Sequence, residues 1–199
     1  MDEILHNKSL QDVENKKVVY NQWANTYDEY VESIGYLGPI NFSRFFFNKC
    51  LNSTKKMRIL DFGCGTGLLG FNIFNTFNKN IDIIGVDISD NMIEKARGKN
   101  VYQEIYNMNL VNLGIKEIKE KIGEFDYIVS CGVFLEGHVE FRIFEKFREI
   151  VKNEIIFTVR ESFMKDKKEE YDKYVKSSEK YEEHNIEYLN NVKCKLIVI

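Results

Sequence analysis

Long apolar runs are missing from this 199-residue chain: no segment approaches the ~18 uninterrupted apolar residues that a membrane-spanning helix needs. The first ten residues, MDEILHNKSL, lack the basic start and apolar stretch of a secretory leader. The four cysteines (Cys50, Cys64, Cys131 and Cys194) are scattered, with no C-x-x-C pair. That argues against a zinc or dithiol centre, leaves no metal site to expect, and suits a reducing, cytoplasmic setting. An excess of basic charge is missing too. Lys and Arg number 28 against 31 Asp and Glu, a formal net charge of -3, so nothing draws the chain generally to nucleic acid or to an anionic membrane. Charged stretches such as KDKKEE at 165–170 read as solvated helix faces. There is no internal repeat and no low-complexity linker. The single proline, Pro39, closes GYLGP and gives the clearest punctuation before the glycine-rich region.

What the chain does have is core-forming material: 44% of its residues are hydrophobic and 14% aromatic. Before Pro39, Val19, Trp23, Tyr27 and Tyr30 recur at three- and four-residue steps, which predicts a helix with an aromatic face. A second aromatic helix is expected over 41–51. From Met57 the pattern alternates. Strands are expected at 57–62, 81–87, 101–108, 125–131 and 154–160, with helices at 66–77, 90–98 and 141–151. A charged helix then runs to Lys180, and a terminal strand pair is expected at 186–189 and 193–199. This predicts an α/β, Rossmann-like, doubly wound, mostly parallel seven-stranded sheet with helices on both faces. Residues 1–55 would form a helical cap and 56–199 the sheet domain. In such sheets ligands bind at the carboxyl ends of the strands, where strand order reverses.

The stretch ILDFGCGTGLLG, 59–70, falls at that place. Read from Gly65 it spells G-x-G-x-x-G, the dinucleotide fingerprint. Read from Asp61 it is an acid followed by alternating glycines. Asp87, at the end of the second strand, could hold a ribose diol in either case. Asp61 separates them. Beside a pyrophosphate it would meet like charge in a partly dry site. S-adenosyl-L-methionine instead carries an ammonium and a sulfonium, and its carboxylate suits a helix N-terminus. The chain also contains no Y-x-x-x-K pair and no G-x-x-x-x-G-K-[ST] loop, so the acidic reading is preferred over NAD.

ILDFGCGTG, GVDIS and FDYIVSCGVF, in that order and at strand ends, resemble the class I S-adenosylmethionine-dependent methyltransferases. YNQWANTYDEYVESIGYLGP and CGVFLEGHV narrow the resemblance to the Williams–Beuren-region methyltransferase-like subgroup. The resemblance implies a cofactor turn at Gly63, Cys64, Gly65 and Gly67, with Asp61 facing the amine and Asp87 the ribose hydroxyls. It also implies Ile88 and Met92 around the adenine, Asn109 and Leu110 at its edge, and Cys131 and Gly132 along the methionine arm. Asn109 stands where the family often has an aspartate, and the family's Pro-Gly-Gly turn before strand five is replaced by VKNE.

Tyr20, Trp23 and Tyr27 lie at i, i+3 and i+7, so their rings share one face and suit the rim of a sulfonium site. The expectation is a mobile cover over 15–42, hinged at Gly-Pro. His138 is the candidate general base and Glu136 a weaker one; a packing role for His138 stands beside it. Cys131 as a nucleophile is disfavoured, because no proline precedes it. The Asn/Asp-Pro-Pro-Tyr motif of amino-methylating nucleic-acid enzymes is missing. The expected function is therefore methyl transfer to a small or medium-sized acceptor by a monomer or weak dimer. The alternatives are a non-catalytic cofactor-binding partner subunit and an NAD-dependent oxidoreductase.

Overall fold

The computed structural model describes residues 1–11, 16–51, 55–77 and 81–199. Helices α1 (Asp2–Ser9), α2 (Lys16–Trp23), α3 (Tyr27–Ser33) and α4 (Gly38–Cys50) precede the sheet. Then follow β1 (Met57–Phe62), α5 (Leu68–Phe77), β2 (Ile81–Asp87), α6 (Asp90–Gly98), β3 (Glu104–Asn107), α7 (Ile115–Ile122), β4 (Phe125–Phe134), α8 (Ile143–Arg148) and β5 (Val151–Arg160). Short helices α9 (Glu161–Asp166) and α10 (Lys168–Tyr171) and a π-helical turn (Asp172–Lys176) lead to β6 (Glu182–Asn185) and β7 (Cys194–Val198).

The strands form one seven-stranded sheet in the order β3-β2-β1-β4-β5-β7-β6, with β7 antiparallel to both neighbours. Strand order reverses between β1 and β4, and that reversal opens the crevice described below. Side-chain alternation explains why the strands read as continuous apolar runs. Leu60, Ile84, Ile128 and Phe157 face one core, closed by α7, α8 and the helices after β5. Ile59, Ile83, Val129 and Ile156 face the other, closed by Phe42 and Phe46 of α4 and by Leu69 and Ile73 of α5. Both faces are covered, as a parallel sheet requires.

Several boundaries differ from the sequence expectation. The single aromatic helix before Pro39 is two, α2 and α3, yet Val19, Trp23, Tyr20, Tyr27 and Tyr30 still meet in one cluster with Leu5 and Met92. Pro39 sits in the first turn of α4, where its missing N–H costs nothing. The Gly-Pro step is therefore no free hinge: Leu37 and Gly38 both donate their amides to the Tyr188 carbonyl, at 2.8 and 3.2 Å. Residues 115–122, to which no element was assigned, form α7, closed by Gly123 at φ 72. The edge strand β6 lies at 182–185, not 186–189. Its residues EEHN carry no apolar alternation, because a charged edge faces solvent. The expected cover began at Asn15, which lies outside the described residues.

Candidate active site

A cavity of about 610 Å³ opens at the carboxyl ends of β1, β2 and β4, roofed by α2 and α3. That is within the usual range of a small-molecule site. Its floor is the turn after β1. Gly63, Gly65 and Gly67 all have positive φ, at 70, 52 and 86°. At Gly63 a side chain is doubly excluded, since a Cβ would stand 2.3 Å from Cγ2 of Val133. Gly63 and Cys64 donate their amides to the Val86 carbonyl, at 2.8 and 3.1 Å, which fastens the turn to β2.

Asp87 seats its carboxylate in this turn. One oxygen accepts from the Gly65 amide and the other from the Ser89 amide, both at 2.8 Å. Burial pushes its pKa above the usual carboxylate value, while those amide hydrogen bonds oppose the rise. Ser89 then caps α6 by accepting from the Met92 amide.

Tyr20, Tyr27, Gly63, Cys64, Gly65, Asp87, Ile88, Met92, Asn109, Leu110, Cys131, Gly132 and His138 line this one cavity. Three expected residues do not. Asp61 is 1% exposed and accepts from the Tyr102 hydroxyl at 2.6 Å. Strand alternation turns it beneath the glycine turn instead of toward an amine, and burial raises its pKa to about 7. Gly67 packs on Ala96 and Tyr102. Trp23, 2% exposed, stacks among His6, Tyr20, Tyr27 and Tyr30 instead of lining the cavity.

Gly70, the last glycine of the apparent dinucleotide fingerprint, also serves packing. A Cβ there would lie 2.3 Å from the Tyr102 hydroxyl, so the missing side chain makes room for the residue that holds Asp61. Asn109 uses its amide oxygen to accept from the Val111 amide at 3.1 Å. The Cys131 thiol lies 3.4 Å from the Tyr36 hydroxyl, and burial pushes it up to about 12, so it stays protonated at neutral pH.

His138 has both ring nitrogens engaged. Nδ1 lies 3.0 Å from the Glu136 carbonyl, which can only accept, so Nδ1 carries the proton. Nε2 therefore accepts from the Tyr20 hydroxyl, at 2.8 Å. Burial lowers the imidazole's pKa to about 4 and makes it a weak base.

Several contributing residues escaped the sequence reading. Tyr36, Thr66 and Val133 line the cavity. Asn21 accepts from Ser89 Oγ at 2.6 Å, and Asp28 accepts from Thr66 Oγ1 and, at 2.6 Å, from Lys99 Nζ. Asn21 and Asp28 lie within the aromatic segment but carry no motif; only the fold pairs them with the turn. Among the described residues no cluster of three or more His, Cys, Asp or Glu could hold a metal ion, and no helix is long and apolar enough to cross a membrane.

Residues 53–194 match the family described as Methyltransferase domain. The chain belongs to that family. It is 33% identical over 112 residues to an uncharacterized protein of Rickettsia prowazekii, covering 56% of this chain and 41% of the relative. It is 28% identical over 130 residues to human Methyltransferase-like protein 27, covering 65% and 51%. The chain thus spans about half or less of the length of these curated relatives. The plantazolicin methyltransferase BpumL, solved with a pentazolic desmethylPZN analog and SAH, shares the fold. It aligns with a TM-score of 0.62 at 13% identity, over 100% of this chain and 99% of that one. The family match begins just before β1, so helices α1 to α4 of this chain lie outside it.

Proposed function

We propose that the cavity binds S-adenosylmethionine and that the chain transfers its methyl group to a small acceptor, with 1–55 acting as a cap on the sheet domain. One observation carries this reading: the Gly65 amide, which a pyrophosphate would need, is already taken by the Asp87 carboxylate. A second carboxylate, Asp61, lies beneath the same turn. The Asp87 carboxylate repels a diphosphate, and a ligand bearing positive charge would favour the ionised form of both acids.

In this reading Asp87 holds the ribose hydroxyls through its remaining lone pairs. Ile88 and Met92 enclose the adenine, and Asn109 and Leu110 meet its edge. Gly63, Cys64, Cys131 and Gly132 line the methionine arm, and Tyr20 and Tyr27 face the sulfonium. Asp61 acts by holding the turn. When bound, the cofactor supplies an electrophilic methyl group whose sulfur leaves as a neutral thioether. The chain's own part is to position the acceptor and exclude water, which can supply much of the rate. His138, already bonded on both nitrogens, serves as a clasp between cap and sheet domain. The subgroup resemblance to the Williams–Beuren-region proteins belongs to this proposal; the likeness to human Methyltransferase-like protein 27 supports it.

Calorimetry with S-adenosylmethionine, S-adenosylhomocysteine and NAD tests the reading. The first two should bind and NAD should not; binding of NAD alone would overturn it.

A further inference from the structure

Beside the main cavity lies a smaller one, of about 60 Å³, under α1, α2 and α3. The two share Tyr20, Tyr27, Tyr36 and Gly132 as a common wall. The small pocket is lined by aromatic and aliphatic side chains but contains one cation, Arg160, at the end of β5. Two buried donors there have no partner: the Trp23 indole N–H and Arg160 Nε. The acid nearest the guanidinium, Glu136, stays 3.8 Å from its Nη1, beyond hydrogen-bonding distance, and leaves its own buried Oε2 unpartnered. An indole N–H that is 2% exposed and unpaired is rare in a folded protein, because a dry, unsatisfied donor carries its full desolvation penalty. Two such donors on one pocket, one of them cationic, call for an acceptor with two oxygens.

We infer that this pocket is the acceptor subsite and takes a small organic carboxylate, its oxygens received by Arg160 and Trp23. At about 60 Å³ the pocket has room for little more than the carboxylate group itself, and Tyr20, Tyr27, Tyr36 and Gly132, which line both cavities, set the rest of the molecule toward the main one. A guanidinium receives a carboxylate through charge-assisted bonds, about twice as strong as neutral ones. An amide or alcohol of the same shape forgoes them. The inference rests on the methyltransferase reading, since only that reading makes the main cavity a methyl-donor site.

The test uses the full chain saturated with S-adenosylhomocysteine, titrated with formate and acetate and, in parallel, with formamide and acetamide. Trp23, the only tryptophan in the sequence, reports binding through its emission, and calorimetry gives the affinity. The acids should bind and the amides should not. Arg160→Gln should weaken the acids by roughly tenfold or more, equivalent to ~1.4 kcal/mol. Arg160→Lys should retain part of the affinity. Trp23→Phe, followed by calorimetry, should weaken the acids by roughly threefold to tenfold, as loss of one hydrogen bond does. Equal binding of acids and amides, no binding of either acid, or unchanged affinity in both Arg160→Gln and Trp23→Phe would overturn the inference. If Arg160→Gln does not fold, Arg160→Lys and Trp23→Phe decide. S-adenosylhomocysteine separates the two failures. If it binds and the acids do not, only the acceptor assignment is lost; if it does not bind the wild-type protein, the parent reading is lost.

Discussion

The Tyr20 hydroxyl donates to Nε2 of His138 across 2.8 Å, tying α2 to the loop after β4 over the mouth of the cavity. The bond exists because the other nitrogen, Nδ1, is committed to the Glu136 carbonyl. Together they hold a neutral imidazole.

That arrangement predicts acid sensitivity. Burial lowers the pKa of His138 from 6.5 to about 4. Between those values the unfolded chain holds a proton that the folded chain does not. The stability contribution is therefore fully present above pH 6.5 and is lost as pH falls toward 4, at up to ~1.4 kcal/mol per pH unit. His138→Gln should remove this acid limb. Chemical denaturation at several pH values checks it, and an unchanged slope in the variant would refute the clasp as described.

Asp61 predicts the opposite sign. Its pKa is raised from 3.8 to about 7 in the folded chain. Its contribution is present below the unfolded value and is lost as pH rises through 7, because the buried carboxylate must then ionise beside Asp87. Asp61→Asn keeps an oxygen to accept from Tyr102. Its stability relative to wild type should therefore grow between pH 4 and 7, by up to ~1.4 kcal/mol per unit. A difference that does not vary with pH would show that Asp61 ionises in the fold as readily as in the unfolded chain. The measurement requires ligand-free protein, since a cationic ligand would favour the charged form.

The sheet was legible because each strand's apolar residues serve two cores, which makes 57–62 and 81–87 mostly apolar runs without polar alternation. The glycine turn was legible from its spacing. Asp61's orientation was not, since one step of strand register decides whether a carboxylate faces the cleft or the layer beneath it. The place of β6 was hidden by its charge, whereas α7 was readable: Ile115, Ile118 and Ile122 fall at i, i+3 and i+7, with Gly123 as the stop. Arg160 carried no signal, because an arginine at a strand end looks like any solvated charge until the cap is folded over it.

Asp87→Ala should weaken S-adenosylmethionine by roughly 2–4 kcal/mol, since hydrogen bonds to a charged group are worth ~1.5–3 kcal/mol each and rarely add. The residue also holds the Gly65 and Ser89 amides, so the variant should lose about 1–2 kcal/mol of stability as well. Calorimetry and denaturation separate the two effects. Full affinity in a folded variant would move the ribose site away from Asp87.

Asp28 on α3 receives Thr66 from the glycine turn and Lys99 from beyond α6, while Asn21 on α2 reaches Ser89 and the Asn91 amide. The cap is thus anchored to the same turn and helix end that form the cavity floor, so a ligand seated on that floor should be felt in α2 and α3. Cofactor addition should therefore change Trp23 emission and slow proteolysis within residues 16–37. Asp28→Ala severs both contacts of α3. The Lys99–Asp28 pair is partly exposed and contributes little by itself, so the variant should lose at most ~1 kcal/mol of global stability. Its cap should nonetheless be cut faster, and the cofactor should leave sooner, because a lid that opens more often releases its ligand more often. Limited proteolysis and stopped-flow dissociation measure the two quantities. If cofactor binding is established by calorimetry but Trp23 emission and cleavage do not respond, and Asp28→Ala releases cofactor at the wild-type rate, the cap is a passive buttress and not a cover.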